Sequence, residues 1–387
     1  MNRMRRTLVG VAALSLCAAG LFALDGCTII NGLVVPVDAA AVVKTDGPAG
    51  ETGAPDAGDG CDHILPPAPP IGIPMTTDTG TIVVVMKELF LATKTGATAI
   101  GYDLDRTCTS SDRTTESCIG SKGFPDPGGR GLDNNGGVVF NIFNNLGTVG
   151  FNLEERANMG IAMGSSSILI KISGFNGMPD DPEISVSLYA SPGLFDPPNS
   201  NTNRSPQFLE SEAWALDEAQ FSLITPDLPL TTARGYVAQG EFVAELDATI
   251  GISESFSMTL NGGVITGVLD FSGATGPTPT IKRGVIAGRW PASDMLRVIA
   301  RQRTTGGGAT LCDDPKTYQQ AKGLLCPELD LSASSQSDNK VPRTNCDAIS
   351  ASILFNAGRA RLGAKRPVPP DDPCPDFPAD DCKGDGG

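Results

Sequence analysis

Histidine is almost absent from this 387-residue chain, with His63 the only one. That scarcity removes the common hydrolytic triads, because a Ser-His-Asp or Cys-His relay needs an imidazole beside its nucleophile. His63 instead stands before a proline cluster at Pro66, Pro67, Pro69 and Pro70. No Gly-x-Ser-x-Gly elbow, H-E-x-x-H helix or G-x-x-x-x-G-K-[ST] loop occurs either. Aromatic residues are 5% of the chain, with Trp214 and Trp290 the only tryptophans, so sugar-stacking platforms are scarce. Basic residues are outnumbered 29 to 44, for a net charge of −15. Such a surface repels nucleic acid and anionic headgroups, and no Lys/Arg cluster interleaved with aromatics argues otherwise, so no nucleic-acid partner is expected. No two cysteines have the C-x-x-C spacing of a zinc knuckle or thioredoxin-type redox site.

Chain punctuators are plentiful. The 46 Gly and 30 Pro are about one residue in five, which suits short strands and turns better than long helices. Strands are read at Thr81–Met86, Gly137–Phe143, Ser167–Gly174, Glu183–Ala190, Gln220–Ile224 and Gly235–Leu246. Asn261-Gly262-Gly263 lies between Ser255–Leu260 and Val264–Phe271 and reads as a hairpin turn, since Asn and Gly take positive φ cheaply. Helices are read at Asp294–Arg303, with Ser293 as its cap, and at Lys316–Leu324; Asp347–Leu362 fits either period. The fold class expected is all-β, a β-sandwich or jelly-roll-like body over residues 80–365 with one or two short helices. Two smaller β units meeting near Thr225–Thr232 are the alternative. Residues 366–387 form a tail rich in Cys, Pro and Asp.

One long apolar run exists, and it comes first. Arg3, Arg5 and Arg6 precede an uncharged stretch from Thr7 to Leu24, followed by Asp25-Gly26-Cys27. A basic start, an apolar centre and a small residue before a break make an export signal. Leu24, Gly26 and Cys27 resemble the lipobox of bacterial lipoproteins, in which the cysteine thiol receives lipid; Asp25 departs from the small uncharged residue usual at that position. The resemblance implies a signal peptide over 1–26, lipidation at Cys27 and a protein held at a membrane through its N-terminal lipid. Thr28 rather than Asp after the cysteine favours the outer membrane over the inner one under the enteric sorting rule. Removing 1–26 takes three Arg and one Asp with it, leaving 26 basic against 43 acidic residues and a net charge of −17. Residues 27–79 are mostly Ala, Gly, Asp, Pro and Thr without periodicity and read as a disordered spacer.

Cysteine usage agrees with export. Apart from Cys17 and Cys27, eight remain, an even number suited to disulfides in an oxidising compartment. Short loops favour Cys108 with Cys118, Cys312 with Cys326 and Cys374 with Cys382, leaving Cys61 for Cys346. The densest polar cluster is Gly101-Tyr-Asp-Leu-Asp105 followed by Gly131-Leu-Asp-Asn-Asn-Gly136. Asp103 and Asp105 share a face if extended, and a Cys108–Cys118 tie would bring Asp133, Asn134 and Asn135 toward them. These are hard oxygen donors, which suit Ca²⁺, though the spacing is not an EF-hand loop and Asp and Asn beside Gly also make turns. No other cofactor is expected. The layout resembles predicted lipoproteins of myxobacteria, which implies an address and no mechanism. The expected function is a non-enzymatic envelope lipoprotein, either a binding module for a glycan, peptide or envelope protein or a structural module with no ligand. The alternative is a carboxylate-dependent polysaccharide hydrolase centred on Asp103, Asp105 and Asp133.

Overall fold

A computed structural model describes residues 61, 63–74, 78–91, 100–110, 112, 115–122, 126, 131–145, 152–195, 205–221, 231–253, 256–272, 278–303, 309–368 and 372–383. The signal segment, Cys27 and most of the spacer lie outside them. Alternating and β-branched runs become strands: β1 (Gly80–Leu91), β2 (Ser167–Phe175), β3 (Asp181–Ser191), β4 (Ala213–Asp217), β5 (Thr232–Ala238), β6 (Glu241–Ser253), β7 (Phe256–Asp270), β8 (Thr280–Pro291), β9 (Ala348–Arg359) and β10 (Arg361–Arg366). Eight of them pair antiparallel in the order β1-β2-β3-β5-β6-β7-β8-β9, and β9 pairs back onto β1, with Val84 opposite Arg359 and Leu91 opposite Ile353. The result is a closed barrel. The sandwich expectation is therefore corrected: one sheet coils onto itself rather than two sheets stacking. Register shifts in β1, β6, β7 and β8 supply the coiling, because each bulge increases local twist and bends its strand.

Alternation decides what lies inside. Ile82, Val84 and Met86 of β1, Ile170 and Ile172 of β2, Val186 of β3, Phe242 of β6, Met258 and Ile265 of β7, Ile286 of β8 and Ile353 and Phe355 of β9 join one buried cluster. Alternate residues from all around a closed sheet can meet only in its interior. Helices α1 (Gly136–Asn145), α2 (Leu153–Met163), α3 (Ala292–Ala300) and α4 (Pro315–Leu325) add Phe140, Phe143, Leu153, Met295 and Leu325 to the same cluster. Phe143 meets Phe256 edge-on at 5.1 Å between centroids and stacks on Trp290 at 6.2 Å. Full burial stabilises each such side chain by roughly 1.5–3 kcal/mol.

Several local expectations change. The apolar stretch Gly137–Phe143 is helix α1, not a strand: Val139, Phe140 and Phe143 are buried at helical spacing while Val138 is exposed. Gly235–Leu246 is not one strand but the β5–β6 hairpin, turning at Gln239 and Gly240, whose φ values are +53° and +81°. Asn261-Gly262-Gly263 is not a turn. β7 runs straight through it, paired with β6 and β8, and Gly262 at φ +51° sits in a bulge. Of Gln220–Ile224, Gln220 ends a 3₁₀ turn at Glu218–Gln220, and 222–230 fall outside the described residues. Helices α3 and α4 stand where expected, although Pro291 rather than Ser293 is the α3 cap. Helix α2 was unforeseen; Asn152 caps it by accepting from Glu155 N–H at 3.1 Å. The ambiguous Asp347–Leu362 stretch is β9 and the start of β10.

The outer wall carries two layers. Strands β4 and β10 pair parallel and cover Val85, Leu169 and Tyr189 with Trp214 and Leu216. On the other side, Ile64, Tyr102 and Leu104 pack over Val243, Val264 and Ala287. Residues 63–67, read as spacer, thus lie on the barrel: Ile64 C=O accepts from Asp103 N–H at 2.8 Å, and Pro67 C=O accepts from the Tyr236 hydroxyl at 2.5 Å. The four disulfides are Cys61–Cys108, Cys118–Cys346, Cys312–Cys374 and Cys326–Cys382. All eight cysteines expected in bridges are in bridges, but none of the four expected pairs forms. Short-loop logic fails because the bonds join separate excursions from the barrel rather than the ends of one loop. The parallel bridge of Ile119 with Asn345, for example, brings Cys118 to Cys346.

Candidate metal centre

Strands β8 and β9 are apolar on their inner face and polar on their outer one. Trp290, Ile349, Ala351 and Ile353 point inward, whereas Arg289, Ser350 and Ser352 face outward and are still almost wholly buried. What buries them is a layer of acidic loops. The segment 101–105 crosses this wall with bends at Gly101, Leu104 and Asp105, and Tyr102 bridges antiparallel to Asp133, with Asp133 N–H donating to Tyr102 C=O at 3.1 Å. The bends leave Asp103 and Asp105 side by side, and the bridge brings Asp133 to them. Carboxylate oxygens of all three lie within 4.8 Å of one another, and the three residues are 4–5% exposed.

Local hydrogen bonds hold these groups in place. Asp103 accepts from Thr107 N–H at 3.3 Å and pairs with His63. Asp105 accepts from Thr107 N–H at 2.8 Å and from the Ser117 hydroxyl, and Asp133 accepts from Leu104 N–H at 2.7 Å. Of the two asparagines expected beside them, Asn135 is a scaffold residue, donating its amide to Glu328 C=O at 2.6 Å while its N–H donates to the Ser350 hydroxyl at 2.7 Å. Asn134 differs, because its buried Oδ1 accepts no hydrogen bond, and the buried Ser352 hydroxyl is likewise unpartnered.

Three further carboxylates belong to the centre and escaped the sequence reading. Asp126 accepts from Thr109 N–H at 2.6 Å, and Asp330 accepts from Ser350 N–H at 2.8 Å and from its hydroxyl at 2.5 Å. With Glu116 and Asp133 they line a pocket of about 20 Å³, which also touches Lys122 and the Cys118–Cys346 bond. That volume holds one water or one ion, since about 10–15 Å³ suffices for a water. Asp330 had one readable signal, an acidic residue between Leu329 and Leu331 in an apolar context. Asp126, between two prolines, had none.

Two described cations near the centre are already engaged. Arg289 donates to both oxygens of Asp338 at 3.0 and 2.6 Å, to Ser332 C=O at 2.9 Å and to Leu104 C=O at 2.6 Å. Lys122 pairs with Glu328. The remaining negative charge is expressed in the acidities. Burial pushes Asp105 up to about 8 despite the Ser117 hydrogen bond, with Asp103 beside it adding to the rise. Burial lifts Asp126 to about 7 and Asp330 to about 6. Burial, then the charges of Asp105, Asp330 and Asp126, hold Asp133 well above the carboxylate range. Such a set either keeps protons near neutrality or takes a cation in their place. No family model, curated protein or solved structure matches the chain. Oxygen donors outnumber everything else in the centre, and six to eight oxygens at flexible spacing are what Ca²⁺ takes.

Proposed function

We propose that this chain is an exported, non-enzymatic cell-envelope lipoprotein, tethered at the outer membrane through Cys27, in which calcium fixes the outer-wall loops as a binding module. The observation that carries the reading is the ion-sized pocket lined by Glu116, Asp126, Asp133 and Asp330 against the buried Asp103, Asp105 and Asp133 group. Asn134, next in the chain to Asp133, holds a buried neutral oxygen, Oδ1, that lacks a partner. Each carboxylate in the group is held by backbone amides or hydroxyls, so an ion entering it meets oriented ligands.

Several features favour binding over hydrolysis. A pocket of about 20 Å³ has no room for a sugar ring between two carboxylates some 5 Å or more apart, and none of its described lining residues is aromatic. A larger groove of about 830 Å³ lies at the disulfide-rich end, between Ser121, Pro291, Ser293, Asn345 and Lys383, and falls in the size range of ligand sites. Its described lining is mixed polar and aliphatic without aromatics, which suits a peptide or an envelope protein better than a glycan. Two measurements test the proposal on the full chain. Calorimetric titration with calcium should show binding that Asp133→Asn abolishes; no heat in the wild-type protein rejects calcium. Fatty-acid labelling in a lipoprotein-processing host should be lost in Cys27→Ser, and retained label rejects the tether.

A further inference from the structure

Beside the acidic centre, and sharing Asp103 with it, lies a second cluster of different chemistry. Cys61, His63 and Cys108 each present one ligand atom, and the three atoms lie within 4.8 Å of one another. His63 Nδ1 also contacts Asp103 Oδ2. Gly131 shows how closely the fourth member approaches. A Cβ at this position would stand 2.5 Å from Asp103 Oδ2 and 3.1 Å from Cys108 Sγ, and its φ of +61° already favours glycine. The missing side chain leaves a cradle in which the Asp103 carboxylate and the Cys108 sulfur meet. Cys61 and His63, two apart in a segment without helix, present their side chains to one side. All three of Cys61, His63 and Cys108 are half-buried, so solutes reach them.

We propose that Cys61, His63, Cys108 and Asp103 form a redox-gated site for a zinc-class divalent ion, closed while Cys61 and Cys108 are joined as a disulfide and opened by a dithiol reductant. Two sulfurs, one imidazole nitrogen and one carboxylate oxygen are a four-ligand tetrahedral set, in which bonds of about 2.0–2.3 Å place neighbouring ligand atoms roughly 3.3–3.8 Å apart. Breaking the Cys61–Cys108 bond frees the two sulfurs to move apart to that spacing. In the first step the external dithiol transfers two electrons and two protons, so that the Cys61–Cys108 bond breaks, two thiols form and the reductant becomes a disulfide. In the second step the metal ion binds both sulfurs and two protons leave to solvent. Reoxidation by a disulfide-forming catalyst of the envelope reverses the sequence and releases the ion. Soft sulfur donors separate this site from the oxygen-lined centre next to it, and it does not depend on calcium being bound there.

The test uses the whole oxidised protein and cobalt(II) as the probe. Limited treatment with a phosphine reductant should open one disulfide, identified as Cys61–Cys108 by alkylation and mass spectrometry. Cobalt should then bind at one equivalent with visible d–d bands and a sulfur-to-cobalt charge-transfer band, both erased by zinc and absent from the oxidised protein. His63→Gln should weaken cobalt binding at least about tenfold, and Cys61→Ser with Cys108→Ser should abolish the charge-transfer band. Circular dichroism of that double variant confirms its fold; His63→Gln, which leaves every disulfide in place, gives a second reading if the double variant does not fold. Absence of the charge-transfer band after selective reduction overturns the proposal, as does its persistence in the double variant, an undiminished affinity in His63→Gln, or first reduction at another disulfide.

Discussion

Removing divalent cations and raising the pH should destabilise this protein across the interval where most proteins are indifferent to pH. The reason lies in the sign of the shifts. Asp330, Asp126 and Asp105 have folded acidities of about 6, 7 and 8 against an ordinary 3.8, all raised first by burial. In the folded state they keep protons that the unfolded chain has already released. Their contribution is complete below about pH 4 and is lost as pH rises through 6 to 8. For Asp330 alone the difference between 3.8 and about 6 corresponds to about 3 kcal/mol, of which about 1.4 kcal/mol is lost above pH 5. On a body of this size that lowers the melting temperature by on the order of 2–3 °C between pH 5 and pH 8. His63→Gln, which removes the contact with Asp103, is the necessary control. Calcium should reverse the slope, because it binds the ionised carboxylates, competes with protons and stabilises more as pH rises; at a hundred times its dissociation constant it contributes about 2.7 kcal/mol. The assay is a melting series from pH 5 to 8.5 in chelator and in excess calcium. Asp330→Asn should flatten the chelator curve by its own share. A chelator curve that is level or rising, or curves that coincide at pH 8, would refute the reasoning.

Other expectations concern the frame around the centre. Arg289→Met leaves the Asp338 carboxylate without its buried partner and should cost about 3–5 kcal/mol in urea unfolding; a loss under 1 kcal/mol contradicts the role given to Arg289. Gly284→Ala places a methyl against the Phe355 ring inside the barrel and should cost about 1–3 kcal/mol. Combined with Phe355→Leu, the total should fall short of the sum of the single changes, and strict additivity would show that the two do not share space. Burial works to raise Asp372 and Asp380, but Arg301 in the first case and Lys322 in the second outweigh it and hold both below the ordinary value. These lowered acidities stabilise the tail above about pH 4 and stop doing so as pH falls below it. Exchange of the Cys374 amide, which donates to Asp372 at 3.0 Å, should speed up there, and unchanged exchange down to pH 2 counts against the pairing.

Strands were legible where one face repeats every second residue, as in Glu183–Ala190, and helices where a breaker precedes an apolar period, as at Pro291 and Pro315. Closure was not. It depends on β1 meeting β9 about 270 residues later, and the same alternation serves a sandwich or a barrel. Gly137–Phe143 misled because Val138, Val139 and Ile142 carry strand propensity, while packing of Val139, Phe140 and Phe143 against Trp290 and Phe256 favours a helix. The Asn261-Gly262 pair offered a good turn, but β6 and β8 both needed a long partner and the turn residues were absorbed as a bulge. In the centre, Asp103 and Asp105 could be found because they alternate within one short segment. Asp126 and Asp330 arrive from distant loops, and only the fold brings them in.

A closed and filled barrel constrains where function can sit. Its interior is occupied by Ile82, Met86, Phe242, Phe355 and Trp290, and closure leaves the eight strands no unpaired edge for a partner strand to extend. Recognition is then left to the excursions laid on the outer wall and to the loops at the ends. β9 shows how one strand serves both tasks. Ala351, Ile353 and Phe355 face the core, where substitutions change stability, whereas Ser350 and Ser352 face the acidic loops, and Ser350 links the Asp330 carboxylate to the Asn135 amide. Changes at the serines should therefore register first in cation affinity, through the orientation of Asp330, and only then in unfolding. The period of two that identifies the strand also separates the protein's scaffold from its site.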